Sequence, residues 1–183
     1  MLPPMIAVVV PIRGFRVGKA RLAAVLTEDE RAALSRSMAA GVLEAATPLR
    51  TYVVTGDDEV REFASAANAI VVDDPGSLND AARVGREAAR ADGASRVIII
   101  HADLAKPTPF AWVAEFDGVT IVPDRHGQGT NVLALPADTD FDFAYGVGSK
   151  DLHIAEARRR GLEVRVCVDE SLGWDIDEPQ DIP

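Results

Sequence analysis

The chain has 183 residues, of which 48% are hydrophobic, enough to bury a proper core within one domain, expected to span 1–183. Its formal net charge of −10 excludes a general nucleic-acid or membrane surface, yet leaves room for a nucleotide held by a few local cations. The single cysteine, Cys167, excludes a disulfide framework and a cysteine-based zinc site, and its strand-like setting VRVCVD predicts a core thiol.

The opening MLPPMIAVVVPIRG lacks the cationic start and small-residue cleavage site of a signal peptide. No apolar run approaches the roughly 18 residues of a membrane span, so a soluble cytoplasmic protein is expected. Ile6 to Val10 is a continuous β-branched run, as in a strand buried on both faces. A polar, Gly-containing loop follows, Pro11 to Lys19. Thr27 with Glu30 three residues on is a capping-box signature, and the helix it opens carries Leu34, Met38, Val42 and Ala46 at i+4 spacing. Tyr52 to Val54 reads as the second strand, Asp57 to Ala67 as a helix, and Ala69 to Val72 as the third strand. The loop DDPGSLND leads into a helix from about Asn79 to Arg90, and Val97 to Ile100 is the fourth strand. Thr108 to Phe116 is expected as a short helix, with Trp112 and Phe116 in the core. Val119 to Val122 and Val132 to Leu135 are strands flanking PDRHGQGTN. Ser149 to Arg160 is a helix with Glu156 to Arg160 on its solvated face, and Leu162 to Val168 is the last strand, before GWDIDEPQDIP.

This alternation predicts an α/β, Rossmann-like fold, with a mostly parallel central sheet and helices on both faces. Ligands in such folds sit beyond the carboxyl ends of the strands. The loops richest in functional residue types, Pro11 to Lys19, Asp73 to Asn79, Asp103 to Pro107 and Asp124 to Asn131, all follow strands, so one shared cleft is expected.

PIRGFRVGKARL gathers Arg13, Arg16, Lys19 and Arg21 in an otherwise acidic protein. Cations on a βα loop suit a triphosphate, although neither a Walker motif nor a G-x-G-x-x-G fingerprint is present. Asp103 follows four apolar strand residues and should emerge at the cleft edge, with His101 a neighbour of the site. Asp175 and Asp177 alternate about Ile176, so both point to one side of an extended chain. Asp103 and Asp177 form the candidate pair for Mg²⁺, which takes one or two carboxylates and completes its shell with phosphates and water. Asp175 is the less certain partner. In PDRHGQGTN, Gly127 and Gly129 allow a sharp turn close to a ligand, and Thr130 and Asn131 offer hydrogen bonds at its edge. Gly146 and Gly148 loosen FAYGVGSKDLH just before Ser149, expected as a helix N-cap, where backbone N–H groups could cradle an anion. Two potential anion sites far apart in sequence suggest two phosphorylated ligands. Asn79 could read a base edge, and Trp174 could be core or pocket wall.

In this order, the GKARL loop, SLNDA, HADL, PDRHGQGTN, FAYGVGS and DIDEPQD resemble the 2-phospho-L-lactate guanylyltransferase family, CofC, named FbiD in its phosphoenolpyruvate-using branch. The resemblance covers nearly the whole chain. It implies a nucleotidyltransferase of GT-A-like fold that moves GMP from GTP to a small phosphorylated carboxylic acid, releasing pyrophosphate, in coenzyme F-420 biosynthesis. It also implies that Asp103 and Asp177 hold Mg²⁺ and that Arg13, Lys19 and their loop hold the GTP phosphates. Asn79 would lie near guanine, and Thr130, Gly146, Gly148 and Ser149 would bind the acceptor. The chain departs from the family where His101 and Ala105 replace Pro, Glu178 replaces Thr, and Arg13 replaces Lys. Phosphoenolpyruvate, 2-phospho-L-lactate and 3-phosphoglycerate are all open as acceptors at this level. Two other readings stay open as well. One is a nucleotidyltransferase using another nucleotide, or an acceptor of the sugar-phosphate or molybdenum-cofactor type. The other is a non-catalytic, nucleotide-binding regulatory subunit.

Overall fold

A computed structural model describes residues 5–182. The first four residues and Pro183, parts of the expected start and of the 1–183 domain, lie outside the described residues. The elements in chain order are β1 (Ile6–Pro11), α1 (Glu28–Ala46), β2 (Arg50–Thr55), α2 (Asp58–Ala66), β3 (Ile70–Asp73), α3 (Leu78–Ala91) and β4 (Arg96–Ile100). There follow β5 (Val119–Val122), β6 (Val132–Pro136), α4 (Ser149–Arg159) and β7 (Val164–Val166). The strands form one seven-stranded sheet in the order β3-β2-β1-β4-β6-β5-β7. Only β6 runs against its neighbours, pairing antiparallel with β4 and β5, while β1, β2, β3 and β4 pair in parallel, as do β5 and β7.

The apolar runs of β1, β2 and β4 feed both faces of the sheet, as their lack of polar alternation requires. Val8, Val10, Val53, Ile98 and Ile100 face α1 and α2, whereas Ala7, Val9, Tyr52, Val54 and Ile99 face α3 and α4. The capping box at Thr27 and Glu30 is formed and opens α1, which buries Met38, Val42 and Ala46. α3 crosses β1 and β2 at Gly85, where a Cβ would run into the Val9 side chain and come within 3.0 Å of Val54 Cγ2. Glycine at that point lets the helix backbone sit close on the sheet.

Three expectations are corrected. Thr108 to Phe116 does not form a helix beyond one 3-10 turn at Ala111–Ala114, because Pro107 and Pro109 push Lys106 and Thr108 out of the helical region and delay its start. Trp112 and Phe116 are only partly buried and lie under the Arg165 guanidinium, at 6.0 and 5.2 Å. The last strand shortens to Val164–Val166, leaving Val168 exposed and Cys167 half-buried against the core.

The loops after β1, β3, β4 and β5 emerge at the same sheet edge, because these strands run in the same direction. The C-terminal segment folds back over that edge. Leu104 and Asp175 form an antiparallel bridge, Ala105 N–H donates to Trp174 O at 2.8 Å, and Ile176 N–H donates to Asp103 O at 3.1 Å. Ile176 itself is buried with Leu22 and Met38, which fixes the direction in which its acidic neighbours point.

Candidate active site

Of the cavities that open on this edge, two of about 350 Å³ each meet the acidic tail. The first is walled by the loop Pro11–Lys19, with Ser35, Leu78, His101, Ala102, Asp103 and Asp177. The second is walled by the turn Asp124–Gly129, the loop Gly146–Gly148 and the tail residues Asp175, Asp177, Glu178 and Asp181, with Arg21 at its side. Asp177 belongs to both.

Lys19 stands between them. Its backbone is left-handed, φ 54°, which is unusual for a residue with a Cβ. Its Nζ donates to Asp103 Oδ2 at 2.5 Å and to Asp177 Oδ1 at 2.8 Å. Burial pulls the Lys19 ammonium down, but the two carboxylates outweigh burial and hold it above its ordinary value, so it stays charged. Burial pushes the Asp103 carboxyl up, and Lys19, with His101 nearby, outweighs it and keeps Asp103 ionised below the usual range. Asp175 moves the other way. Burial raises it, the Asn131 amide opposes, and the charges of Asp103 and Asp177 raise it further. Asn131 Nδ2 donates to both Leu172 O at 3.1 Å and Asp175 Oδ1 at 3.2 Å, tying the PDRHGQGTN turn to the tail.

The residues present fit a divalent cation. Asp103 Oδ1 is buried with no hydrogen-bond partner, while Asp103 Oδ2 and Asp177 Oδ1 converge on one positive charge. Among the described residues no group of three or more His, Cys, Asp and Glu side chains is gathered for a metal. Two carboxylates with open positions are the donor set that Mg²⁺ uses alongside phosphate oxygens and water. The second cavity also needs positive charge: five carboxylates line it against two arginines, Arg21 and Arg125.

The remaining candidates are placed as follows. Arg13 donates to Gly76 O at 2.8 Å, joining two loops at the first cavity. Asn79 does not line either cavity; its Oδ1 accepts from Tyr145 N–H at 2.7 Å, which leaves its amide nitrogen as the group that could meet a base. Gly146 and Gly148 line the second cavity, whereas Thr130 and Ser149 are buried and line neither cavity, each following a glycine of the second cavity's wall, Gly129 and Gly148. The expected N-cap is corrected. Gly148, at φ 72°, caps α4, and Ser149 is its first residue, with its hydroxyl 3.3 Å from Thr130 Oγ1. The N–H groups of Ser149, Lys150 and Asp151 already donate to Gly146, Gln128 and Gly148 carbonyls. An anion cradle would therefore be built from hydroxyls and the preceding loop rather than the helix terminus.

Residues that the sequence reading passed over complete the site. Asp181 is 3% exposed and accepts from the N–H groups of Asp177 and Glu178, at 2.8 and 2.7 Å, and from the Arg125 guanidinium. Trp174 Nε1 donates to Asp181 O, so this tryptophan braces the tail and lines neither cavity. The signal was the repeat of acidic residues in DIDEPQD, in which the last carboxylate organises the earlier ones. Ser35 carried no comparable signal, and Arg21, gathered with the cations of the first loop, lines the second cavity and not the first. Glu156, expected on a solvated face, is 8% exposed and held by Arg159 and Arg160.

A family described as guanylyl transferase CofC like matches residues 6–183. The chain is 38% identical over 188 residues to a phosphoenolpyruvate guanylyltransferase of Sphaerobacter thermophilus, covering 95% of this chain and 89% of that one. It is 37% identical over 182 residues to a 2-phospho-L-lactate guanylyltransferase of Halorubrum lacusprofundi, covering 90% and 76%. A solved nucleotidyl transferase from Methanothermobacter shares the fold, with a TM-score of 0.69 at 19% identity, covering 98% of this chain and 94% of that one.

Proposed function

This chain belongs to the family of CofC-like guanylyl transferases, and from that premise we propose that it transfers GMP from GTP to the phosphate of phosphoenolpyruvate or 2-phospho-L-lactate. Pyrophosphate is released, and the product serves the assembly of coenzyme F-420 in the cytoplasm. The observation that carries this reading is the meeting of two cavities at Asp177, with Lys19 bridging Asp103 and Asp177 at their junction.

In this reading the first cavity takes GTP. Arg13 and Lys19 face its phosphates, and Asn79 approaches the guanine. The second cavity takes the acceptor, whose phosphate and carboxylate meet Thr130, Ser149 and the backbone of Gly146 and Gly148. An acceptor phosphate oxygen attacks the α-phosphorus of GTP. The new P–O bond forms as the bond from that phosphorus to the β-phosphate oxygen breaks, and pyrophosphate leaves with the electron pair. A phosphomonoester has its second pKa at about 6 and is mostly dianionic at neutral pH, so no general base is required. The work of the site is to hold two anions together, by positioning and by charge. Lys19 is suited to that work because it stays an ammonium. Asp103 and Asp177 would hold Mg²⁺, which supplies charge neutralisation on the phosphates when bound.

A nucleotide panel tests the assignment. With one three-carbon acceptor, GTP should give a nucleotidyl adduct by mass spectrometry while ATP, CTP and UTP give little. Equal or better turnover with CTP would transfer the assignment to a cytidylyltransferase. Tight GTP binding with no adduct from any acceptor would favour the regulatory reading.

A further inference from the structure

His153 is fully buried, on the same face of α4 as Ser149 one turn earlier, and the reaction outlined above does not use it. Its ring is held by Tyr145, edge-on at 4.8 Å, and by Phe141 at 5.9 Å. Its two nitrogens have different partners. The Ala144 N–H donates to Nε2 at 3.0 Å, and Nδ1 lies 3.0 Å from Thr130 Oγ1. An N–H can donate only to a bare nitrogen, so the Ala144 amide keeps Nε2 unprotonated. A neutral imidazole then carries its proton on Nδ1 and must donate it to Thr130 Oγ1.

We propose that His153 is a positioning residue for the acceptor, setting the hydrogen-bond polarity of the Thr130–Ser149 hydroxyl pair so that one O–H is left to donate to an anion. This rests on the reading that the second cavity takes the acceptor. The two hydroxyls are 3.3 Å apart and 1% and 2% exposed. The Ser149 proton joins them, Ser149 Oγ donating to Thr130 Oγ1. Because Thr130 Oγ1 accepts from His153 as well, the Thr130 proton has no protein partner among the described residues. It is free for a phosphate or carboxylate oxygen. In the opposite tautomer Thr130 would donate to Nδ1 and Ser149 to Thr130. Only lone pairs would then face the ligand, and an anion would be repelled. The Ala144 amide therefore decides whether the hydroxyl pair next to the Gly129 and Gly148 wall offers an anion a proton or only lone pairs.

Two measurements test this. The first needs no substrate: ¹⁵N chemical shifts of the His153 ring in the wild-type protein should report a neutral imidazole protonated on Nδ1. A ring protonated on Nε2 would overturn the proposal even if the enzyme turns over normally. The second is kinetic. His153→Gln keeps an acceptor near Ala144 but loses the donor at the Nδ1 position, and should raise the acceptor KM by roughly tenfold or more, with the GTP KM unchanged. His153→Asn places an amide N–H where Nδ1–H was, and should recover part of that loss. Equal rises in both KM values, or Asn no better than Gln, would overturn the proposal. A wild-type protein with no acceptor-dependent turnover would instead overturn the functional reading beneath it, while the tautomer remains measurable.

Discussion

Asp103 and Asp177 converge on a single ammonium, that of Lys19, at 2.5 and 2.8 Å. The two carboxylates are far apart in sequence but lie on paired segments: Asp103 is in the loop after β4, and Asp177 is carried by the tail that pairs with that loop. Two carboxylates brought together both stay ionised when a cation stands between them. This is the electrostatic requirement that a nucleotide and its metal would meet.

Asp103→Asn should therefore remove turnover by about a hundredfold or more while leaving the fold in place, since Lys19 retains Asp177 as a partner. Steady-state kinetics with Mg²⁺, alongside a thermal melt, check this. Near wild-type turnover would show that Asp103 has no part in charge stabilisation.

Ser149→Ala should act on the acceptor. Its N–H is already bound to the Gly146 carbonyl, and its hydroxyl donates to Thr130 Oγ1 at 3.3 Å, so Ser149 acts by orienting the Thr130 hydroxyl. Loss of that orientation should raise the acceptor KM by roughly tenfold, with the GTP KM unaltered. An unchanged acceptor KM would remove Ser149 from the acceptor site.

Gly85→Ala should destabilise the protein by about 1–3 kcal/mol through overpacking, because the new methyl group would enter the Val9 side chain. Urea denaturation measures it. A neutral or stabilising result would mean that α3 can move off β1 and β2 without cost.

Stability should fall in acid in two steps. Burial, with His101 nearby, pulls His153 down from 6.5 to about 4. The unfolded chain thus takes up this proton first, so the contribution is complete above pH 6.5 and is lost as pH falls toward about 4. Burial raises Glu156, but Arg159, Arg160 and the Asp142 N–H outweigh it and bring it from 4.5 to about 2. Its contribution is present above about pH 4.5 and is lost as pH falls toward about 2. Urea midpoints measured from neutral pH downward should decline across the first window, and His153→Gln should flatten that decline. A wild-type midpoint unchanged across it would contradict the buried neutral imidazole.

Much of the fold was legible because its signals are local. The β-branched runs of β1 and β4, the capping box at Thr27 and the i+4 stripe of α1 each depend on a few neighbouring residues. What was not legible depends on partners far along the chain. The reversed direction of β6 follows from where it pairs, which no property of Val132–Pro136 encodes. Ser149 looks like an N-cap from its neighbours, yet Gly148 takes that place and Thr130, nineteen positions away, claims the hydroxyl. Lys19 reads as a phosphate ligand, and its pairing with Asp103 and Asp177 appears only once the tail has folded across the cleft. Glu156 looks solvated until Arg159 and Arg160 close over it.

The most direct test of the central claim is pyrophosphate release with Mg²⁺ and GTP, offering phosphoenolpyruvate, 2-phospho-L-lactate and 3-phosphoglycerate in turn. Two cavities meeting at Asp177 predict release that requires GTP and phosphoenolpyruvate or 2-phospho-L-lactate together, with neither alone sufficient. No release with any of the three, from folded protein that binds GTP, would contradict it.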